Sequence, residues 1–341
     1  MTTPMQKPAV LVARATFPDV VERLRAHFDV SFNATDVVYT RAELLAQLRG
    51  KAGAFTTGSE RIDAEVLAAN PQLRVVANMA VGYNNFDIDA FNALGVLATN
   101  TPEVLTETTA DFGFAMMMAT ARRIGESEHY LRRGEWTKWS YDMMVGSDVH
   151  GATLGILGMG RIGQAIARRG ALGFGMRVIY HNRSRLSPEQ ELPLKAQWVE
   201  KDALLREADH LVLVLPYSAQ SHHAIGAAEL ALMKPTATLT NIARGGIVDD
   251  AALAAALRDK RIAAAGLDVF EGEPAVHPDL LTLPNVVLTP HIASASVATR
   301  HAMATLAANN LIAALTGGVP PTPINAQVLH DGRLAGYGLS D

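Results

Sequence analysis

Residues 153–163 read Thr-Leu-Gly-Ile-Leu-Gly-Met-Gly-Arg-Ile-Gly, and this stretch decides the fold of the chain. Its first five residues predict a buried strand, and residues 161–169 predict a helix. The G-x-G-x-x-G pattern between them is typical of a dinucleotide-binding loop. The first glycine permits a tight turn, the second lets a pyrophosphate approach the backbone, and the third lets the helix pack on the strand. A helix N-terminus also offers free N–H groups to phosphate. The predicted cofactor contacts in this loop are Gly158, Gly160, Arg161, Ile162 and Gly163.

Alternating strand and helix patterns extend on both sides of this loop. The strands predicted before it are Ala9–Ala13, Ala52–Thr56, Leu73–Asn78 and Val96–Asn100. The strands predicted from the loop onward are Thr153–Leu157, Arg177–His181, His210–Leu215, Ala237–Asn241, Ala263–Asp268 and Val286–Thr289. This alternation predicts an α/β fold with two Rossmann-like domains, each built on a parallel sheet. The first domain lacks the glycine pattern, so we do not expect it to bind a dinucleotide.

The last predicted helix, residues 296–316, has no strand after it in the second domain. We therefore expect this helix to return to the first domain, which makes that domain discontinuous. Residues 1–101 and 296–341 are predicted to form a flavodoxin-like substrate domain. Residues 102–295 are predicted to form an inserted NAD(P)-binding Rossmann domain.

Composition excludes several classes of protein. The chain has 341 residues, a net charge of −4 and no cysteine. This charge gives no electrostatic reason to expect nucleic acid or an anionic membrane as a partner. The lack of cysteine excludes disulfides and thiolate chemistry. Residues 1–7 show no secretory signal, and no apolar run reaches the ~18 residues of a membrane span, so we expect a cytoplasmic protein.

Residues 106–123 form a long helical pattern that is rich in Ala and Met. One interpretation is a core helix, and the other is a helix at the interface of a homodimer. We expect the homodimer to form through this helix region. Trp136 and Trp139, with Met143 and Met144, are predicted to pack at a domain or subunit boundary.

The adjacent pair His222 and His223 invites a metal-site interpretation. Adjacent residues on an extended segment point to opposite faces. We therefore expect a structural role or a role beside the cofactor for this pair, and no metal site.

Charged side chains follow three of the predicted strands in the second half of the chain. Arg244 lies after residues 237–241, Glu273 follows the strand that ends at Asp268, and His291 follows the last strand. Ligands of open α/β sheets bind at the carboxyl ends of strands, so these side chains are expected at the cofactor. Arg244 can hold a carboxylate in a bidentate fork. His291 can donate a proton to a carbonyl oxygen as hydride arrives, and Glu273, if paired with it, favours the imidazolium form.

The chain resembles the D-isomer-specific 2-hydroxyacid dehydrogenases from about Pro8 to Asn325. The resemblance rests on the glycine loop, on Ala-Arg-Gly-Gly at 243–246, on residues 268–274 and on Thr-Pro-His-Ile at 289–292. Residues 80–85 and 100–106 look most like the glyoxylate/hydroxypyruvate reductases and the 2-ketogluconate reductases. The resemblance implies reduction of a small 2-keto acid to the D-2-hydroxy acid.

The resemblance also implies roles for single residues. Arg244, Glu273 and His291 match the family's catalytic trio. The N–H groups around Val81 and Gly82 match the loop that receives the substrate carboxylate, to which Arg244 and His291 also contribute. Asp268 and Thr109 match residues at the nicotinamide, although Asp268 has the alternative of capping its own turn. Pro216 matches a residue beside the adenosine, and Ile242 is also assigned to the cofactor site.

The choice between NAD and NADP depends on residues 182–185, which read Asn-Arg-Ser-Arg. An NAD-binding loop usually carries an acidic residue here, bonded to the ribose hydroxyls. A carboxylate would repel a 2′-phosphate, whereas Arg attracts it. The sequence therefore predicts NADP(H), with NAD(H) left open, and the alternative is an exposed basic turn. The predicted contacts are Asn182, Arg183, Ser184 and Arg185, with Arg183 and Ser184 as the main ones.

Two other functions are considered beside this one. The first is a regulatory protein that keeps the fold as a cofactor sensor, and the intact Arg244, Glu273 and His291 argue against it. The second is 3-phosphoglycerate dehydrogenase, many of which carry an added C-terminal domain, whereas only a short tail follows the last predicted helix here.

Overall fold

The computed structural model describes residues 7–330 of the chain. It contains two compact units. One takes in the chain up to Leu105 and from Ser296 onward, and the other is Thr106–Ala295. The first boundary thus falls at Thr106, where a helix begins, rather than at residue 102. The prediction that residues 1–7 carry no secretory signal concerns mainly residues 1–6, which lie outside the described residues, as does the end of the tail, residues 331–341.

The strands of the described residues form two separate sheets. In chain order they are β1 (Ala9–Val12), β2 (Asp29–Phe32), β3 (Gly53–Thr56), β4 (Val75–Asn78), β5 (Leu97–Thr99), β6 (Thr153–Leu157), β7 (Arg177–His181), β8 (Ala196–Trp198), β9 (His210–Leu213), β10 (Thr238–Asn241), β11 (Ala264–Leu267) and β12 (Val286–Leu288).

Helices connect most of these strands. Among residues 7–330, none of the helices combines the length and the apolar character of a membrane span. They are α1 (Pro18–His27), α2 (Arg41–Leu48), α3 (Ala64–Ala69), α4 (Ile88–Leu94), α5 (Thr106–Ala121), α6 (Ile124–Arg132), α7 (Arg161–Arg168), α8 (Pro188–Glu191), α9 (Lys201–Glu207), α10 (Ala227–Leu232), α11 (Asp250–Arg258) and α12 (Val297–Thr316). A π-helical turn covers Arg169–Gly173, and 3-10 turns cover Leu192–Leu194 and Ala326–His330.

The first unit is a parallel sheet in the order β2-β1-β3-β4-β5. The last helix, α12, packs on this sheet with small residues, among them Ala304, Ala307 and Ala308. Gly53 permits the close approach, because a Cβ there would lie 2.7 Å from the Leu311 Cδ1 atom. Residues more than 200 positions apart in sequence thus lie together in this unit. For example, the side chain of Asn325 accepts a hydrogen bond from the N–H of Ala98 at 2.8 Å.

The second unit is a parallel sheet in the order β12-β11-β10-β9-β6-β7-β8. All its strand pairs are parallel, and β6, which leads into the glycine loop, lies inside the sheet between β7 and β9. The two parallel sheets confirm the predicted fold class. The sequence analysis missed β2 and β8, each of which lies at one edge of its sheet and is only partly buried.

Helix α5 is a core helix of the second unit. One face of this helix, including Phe114, Met116 and Met117, is buried, because the helix packs against β10, β11 and α7. A Cβ on Gly113 would lie only 2.5 Å from Ile242 Cδ1. The burial of these residues fits the interpretation of a core helix, and the predicted homodimer through residues 106–123 stays a prediction.

The segment after α5 carries the exposed apolar surface instead. Trp136, Trp139 and Tyr141 are 54%, 75% and 85% exposed, and Ile124, Leu131 and Val145 are also exposed. We call residues 124–145 the aromatic arm. Within residues 7–330 these side chains stay exposed to solvent, so the arm has the character expected of an interaction surface.

Candidate active site

The glycine loop has the geometry that a dinucleotide requires. Gly158 has φ +104°, and a Cβ there would lie 2.6 Å from the backbone nitrogen of Leu215. A Cβ on Gly163 would lie 2.4 Å from the carbonyl oxygen of Gly158. Gly160 differs, because a Cβ there would meet no atom within 4 Å. Gly158 and Gly163 thus keep the loop tight, while Gly160 faces open space where a ligand can approach.

Helix α7 begins directly after Gly160, which stands at the N-cap position and has no side chain that could accept a hydrogen bond there. The first N–H groups of an α-helix have no acceptor within the helix, and Ile162 lies in this first turn. Together with the helix dipole, they suit a phosphate. The residues present therefore fit a dinucleotide at this loop.

The segment after β7 lies against the glycine loop. The Asn182 side chain accepts a hydrogen bond from the Met159 N–H at 2.6 Å, so it braces the loop. The guanidinium of Arg185 makes a bidentate pair with Glu191, at 2.8 and 2.7 Å. Glu191 also accepts from the Tyr180 hydroxyl at 2.7 Å. Burial, together with this hydrogen bond, raises the pKa of Tyr180 to about 12.

Arg183 and Ser184 lie between these anchored residues, and both are exposed. Arg183 forms no ion pair with any residue in the range 7–330. The anchored Asn182 and Arg185 hold the ends of the turn, so its middle is the part available to a ligand. This arrangement leaves Arg183 as the guanidinium best placed for an added anionic group.

Arg244 follows β10 in a turn that Asn241 organises. The Asn241 side chain accepts from the Ala243 N–H at 3.0 Å and donates to the Arg244 carbonyl at 3.3 Å. The guanidinium of Arg244 donates to the Ala243 carbonyl at 2.6 Å. Burial lowers the pKa of Arg244, and the nearby charge of Glu273 opposes that effect. An arginine stays charged in proteins, so a half-buried cation is held next to Glu273.

Glu273 and His291 form a direct pair. The Nδ1 atom of His291 lies 2.8 Å from the Glu273 carboxylate, whose other oxygen accepts from the Phe270 N–H at 2.9 Å. Burial raises the pKa of Glu273, but the hydrogen bonds from His291 and Phe270 and the charge of Arg244 together bring it below its ordinary value. The residue is therefore a carboxylate at neutral pH. Since a carboxylate only accepts, Nδ1 donates, and the Nε2 atom of His291 is left free for a ligand.

Asp268 organises the turn that carries His291. Its side chain is completely buried. One carboxylate oxygen accepts from the Thr289 hydroxyl at 2.6 Å and the Ile292 N–H at 2.8 Å, and the other accepts from the Ala293 N–H at 2.8 Å. These contacts favour the alternative in which Asp268 caps its own turn. Its contact with nicotinamide stays a prediction.

Comparison with known proteins places this geometry in a family. Residues 114–293 match the family described as D-isomer specific 2-hydroxyacid dehydrogenase, NAD binding domain. The chain is 50% identical to a glyoxylate reductase of Thermococcus onnurineus, over 95% of this chain and 98% of the relative. It is 46% identical to glyoxylate/hydroxypyruvate reductase B of Klebsiella pneumoniae, over 94% of this chain and 99% of the relative.

A solved structure has the same fold over nearly the whole length. It is an NADPH-dependent glyoxylate/hydroxypyruvate reductase from Sinorhizobium meliloti in complex with NADP and malonate. Its TM-score is 0.83 at 36% identity, and the match covers 94% of this chain and 97% of that chain. The chain belongs to the D-isomer specific 2-hydroxyacid dehydrogenase family. The predicted family and enzyme class are thereby confirmed, and this dehydrogenase uses a nicotinamide cofactor.

One further loop and helix α5 carry predicted site residues of this dehydrogenase. In the first unit, Asn100 and Asn78 donate to the carbonyls of Val81 and Gly82, at 2.8 and 3.2 Å. The N–H groups of Val81 and Gly82 donate to no residue within 7–330, so they are available to a carboxylate. In the second unit, the Thr109 hydroxyl is buried without a hydrogen-bond partner, which fits a residue that meets a bound group.

Pro216 and Ile242 lie at the ends of β9 and β10. The carbonyl of Pro216 accepts from the Ser221 hydroxyl at 2.9 Å, and its ring is exposed. Ile242 is almost fully buried and packs on α5. Their roles at the cofactor stay predictions.

The expected geometry of His222 and His223 is wrong. The segment is a turn rather than an extended strand, and the two rings stack with centroids 3.9 Å apart. The sequence reasoning also missed Glu271, which lies 3.0 Å from His223. The turn-forming residues Ser218 and Ser221 just before the pair were a signal against an extended segment.

Proposed function

We propose that this dehydrogenase reduces a small 2-keto acid to the D-2-hydroxy acid with NADPH, and that His291 donates the proton. The proposed substrates are glyoxylate, hydroxypyruvate and 2-ketogluconate. The observation that carries the proposal is the 2.8 Å pair of His291 and Glu273 with the charge of Arg244 close by. This set provides a positioned acid, a group that holds its protonated form, and a cation for the substrate.

Each member of the trio has a separate role. Arg244 holds the substrate carboxylate and polarises the neighbouring carbonyl, because its planar fork matches a carboxylate. The Nε2 atom of His291 donates a proton to the carbonyl oxygen. Glu273 accepts from Nδ1, which fixes the ring and stabilises its positive charge. A bound nicotinamide supplies the hydride. Val81 and Gly82 bind the substrate carboxylate through their N–H groups.

The preference for NADPH rests on residues 182–185. The exposed Arg183 has no acidic partner in the described part of the chain, and Ser184 beside it offers a hydroxyl. No carboxylate in this turn would bond the ribose hydroxyls or repel a 2′-phosphate. The relative from S. meliloti, described as NADPH-dependent and solved with NADP, supports the same preference. NADPH favours the reductive direction in cells that keep this pool reduced.

The experiment is a steady-state panel of 2-keto acids, each with NADPH and with NADH. We expect the highest kcat/KM with glyoxylate or hydroxypyruvate and NADPH. The panel includes 3-phosphohydroxypyruvate, because a preference for that substrate would favour the 3-phosphoglycerate dehydrogenase alternative. A clear preference for NADH would contradict the proposed role of residues 182–185.

The substitution Arg183→Ala tests the cofactor contact directly. Loss of a charge-assisted hydrogen bond costs about 1.5–3 kcal/mol, so kcat/KM for NADPH should fall about 10- to 100-fold while that for NADH changes little. The matched control is Arg177→Ala, since Arg177 is also exposed and pairs with Glu207 at 2.8 Å. Equal losses in both variants would reject Arg183 as the 2′-phosphate contact.

The proposed homodimer forms through the aromatic arm rather than through α5. Trp and Tyr side chains are enriched in the buried centre of protein–protein interfaces. Their exposure in the single chain, set against the burial of α5, supports this position.

A further inference from the structure

A second cluster of ligand-type side chains lies outside the catalytic trio. His222, His223 and Glu271 each offer one atom that could bind a metal, and these atoms lie within 4.8 Å of one another. We propose that these three residues bind a divalent transition-metal ion of the zinc, cobalt and nickel class. The proposal is independent of the substrate and of the choice of cofactor.

Hydrogen bonds of the main-chain N–H groups fix the backbone at each of the three residues. The His222 N–H donates to Ser218 O at 3.0 Å, and the His223 N–H donates to Gly246 O at 2.7 Å. The Glu271 N–H donates to the Asp250 carboxylate at 3.0 Å. Because the folded chain already fixes these main-chain positions, little backbone order has to be gained when an ion binds.

Polar groups lie beside the Nδ1 atoms of both imidazole rings. Tyr217 OH lies 3.2 Å from Nδ1 of His222, and the carboxylate of Asp249 lies 3.9 Å from Nδ1 of His223. Metal-binding histidines commonly present one nitrogen to the ion and the other to such a partner. The Nε2 atoms of both rings are then the ligand atoms, and Nε2 of His223 already lies 3.0 Å from the Glu271 carboxylate.

The distance between two of the proposed ligand atoms is close to the distance between neighbouring ligand atoms around a bound ion. Zinc–ligand bonds of 2.0–2.1 Å in a tetrahedron place neighbouring ligand atoms about 3.3 Å apart. The His223–Glu271 distance is already of this size. His222 and Glu271 are exposed, so side-chain rotation can close the remaining gap. Two imidazoles with one carboxylate suit this class of ion better than Mg²⁺ or Ca²⁺, which prefer all-oxygen sites.

A bound ion would connect two segments of the second unit. His222 and His223 follow β9, whereas Glu271 lies two residues before Glu273 in the loop after β11. An ion that binds only the folded chain raises its stability in proportion to the logarithm of ion concentration. Added Zn²⁺ should therefore raise the unfolding temperature of the full chain.

The test uses Co²⁺ and Zn²⁺ with the full-length protein. Titration with Co²⁺, followed by its visible absorption and by calorimetry, should show one ion per chain in the wild type. We expect His223→Ala and Glu271→Gln each to weaken binding at least about tenfold, which is the scale for loss of a metal ligand or its partner. The same variants should lose the rise in unfolding temperature with Zn²⁺.

The matched control is His301→Ala. His301 is a partly exposed histidine that also pairs with a carboxylate, Asp19 at 2.7 Å, but it has no third ligand in the described chain. This variant should bind Co²⁺ as the wild type does. The proposal is overturned if the wild type binds Co²⁺ only at millimolar concentrations, or if His301→Ala weakens binding as much as Glu271→Gln. Glu271→Gln is nearly isosteric, so it decides the question if His223→Ala fails to fold.

Discussion

Glu273 is held as a carboxylate by its neighbours, although its burial favours the neutral form. The hydrogen bond from His291 contributes most to the lowering of its pKa, followed by the Phe270 N–H. The same carboxylate accepts from Nδ1 of His291 at 2.8 Å. At the scale of single residues, this contact fixes the ring and leaves its Nε2 atom for the proposed proton donation.

The substitution Glu273→Gln removes this charge and keeps the shape. The wild-type kcat/KM for 2-keto acid reduction should fall at acidic pH, where Glu273 with its lowered pKa takes up a proton, and this acidic limb should be absent from Glu273→Gln because an amide does not titrate. At neutral pH we expect a loss of about 10- to 100-fold, within the range of general acid catalysis. The measurement is the pH profile of kcat/KM.

Asp279→Asn serves as the control for this change. Asp279 is an exposed carboxylate that pairs with Arg258 on the surface, at 2.5 Å. Its pH profile should match the wild type. An unshifted profile for Glu273→Gln would contradict the assigned role of Glu273, even if activity fell.

At the scale of elements, the connection from β6 to α7 combines two kinds of glycine. Gly158 and Gly163 have backbone atoms where a Cβ would lie, whereas the space beside Gly160 is open. The φ and ψ of Gly160, −77° and −163°, are also accessible to alanine. The first two positions therefore serve the fold, and Gly160 is the position proposed to serve the ligand.

Alanine substitutions should separate these two functions. Gly160→Ala is expected to keep the unfolding temperature of the wild type and to weaken NADPH binding about tenfold or more, because its methyl group occupies the space of the pyrophosphate. Gly163→Ala should lower both, because its Cβ would lie 2.4 Å from a carbonyl oxygen. Calorimetric unfolding and cofactor titration measure the two effects. Unchanged cofactor affinity in Gly160→Ala would show that the pyrophosphate does not approach this residue.

At the scale of the whole molecule, the aromatic arm gathers several exposed apolar side chains in one segment of the described residues. Trp139 and Tyr141 are 75% and 85% exposed. Burial of such side chains in a partner removes apolar area from water and stabilises association. A second copy of the chain is the proposed partner.

Replacement of Trp139 by Glu should therefore convert the proposed dimer to a monomer at micromolar concentration. A charge at the centre of an apolar interface costs more than an exposed one, because it would be desolvated without a partner. Light scattering coupled to size-exclusion chromatography measures the mass. Leu281→Glu is the control, since Leu281 is 63% exposed outside the arm and should not alter the mass. A wild type that is monomeric at these concentrations would contradict the proposal.

The sequence by itself determined the fold class and the candidate trio, because both depend on local order. A strand–glycine–helix pattern can be recognised within residues 153–163, and residues at the ends of parallel strands meet at one edge of a sheet. The sequence analysis missed β2 and β8, which both lie at the edge of a sheet. Which strand becomes an edge strand depends on how the strands pair, and a local sequence pattern does not specify that pairing.

Only the tertiary structure decided which apolar side chains are buried and which polar side chains already have partners within the chain. It showed that one face of α5 is buried in its own unit, that Glu191 holds Arg185, and that the carboxylate of Asp268 holds the turn of His291. It also brought Glu271 to His223, which lies 48 residues earlier in the chain. Burial and pairing depend on contacts between residues distant in sequence, and no local pattern specifies those contacts.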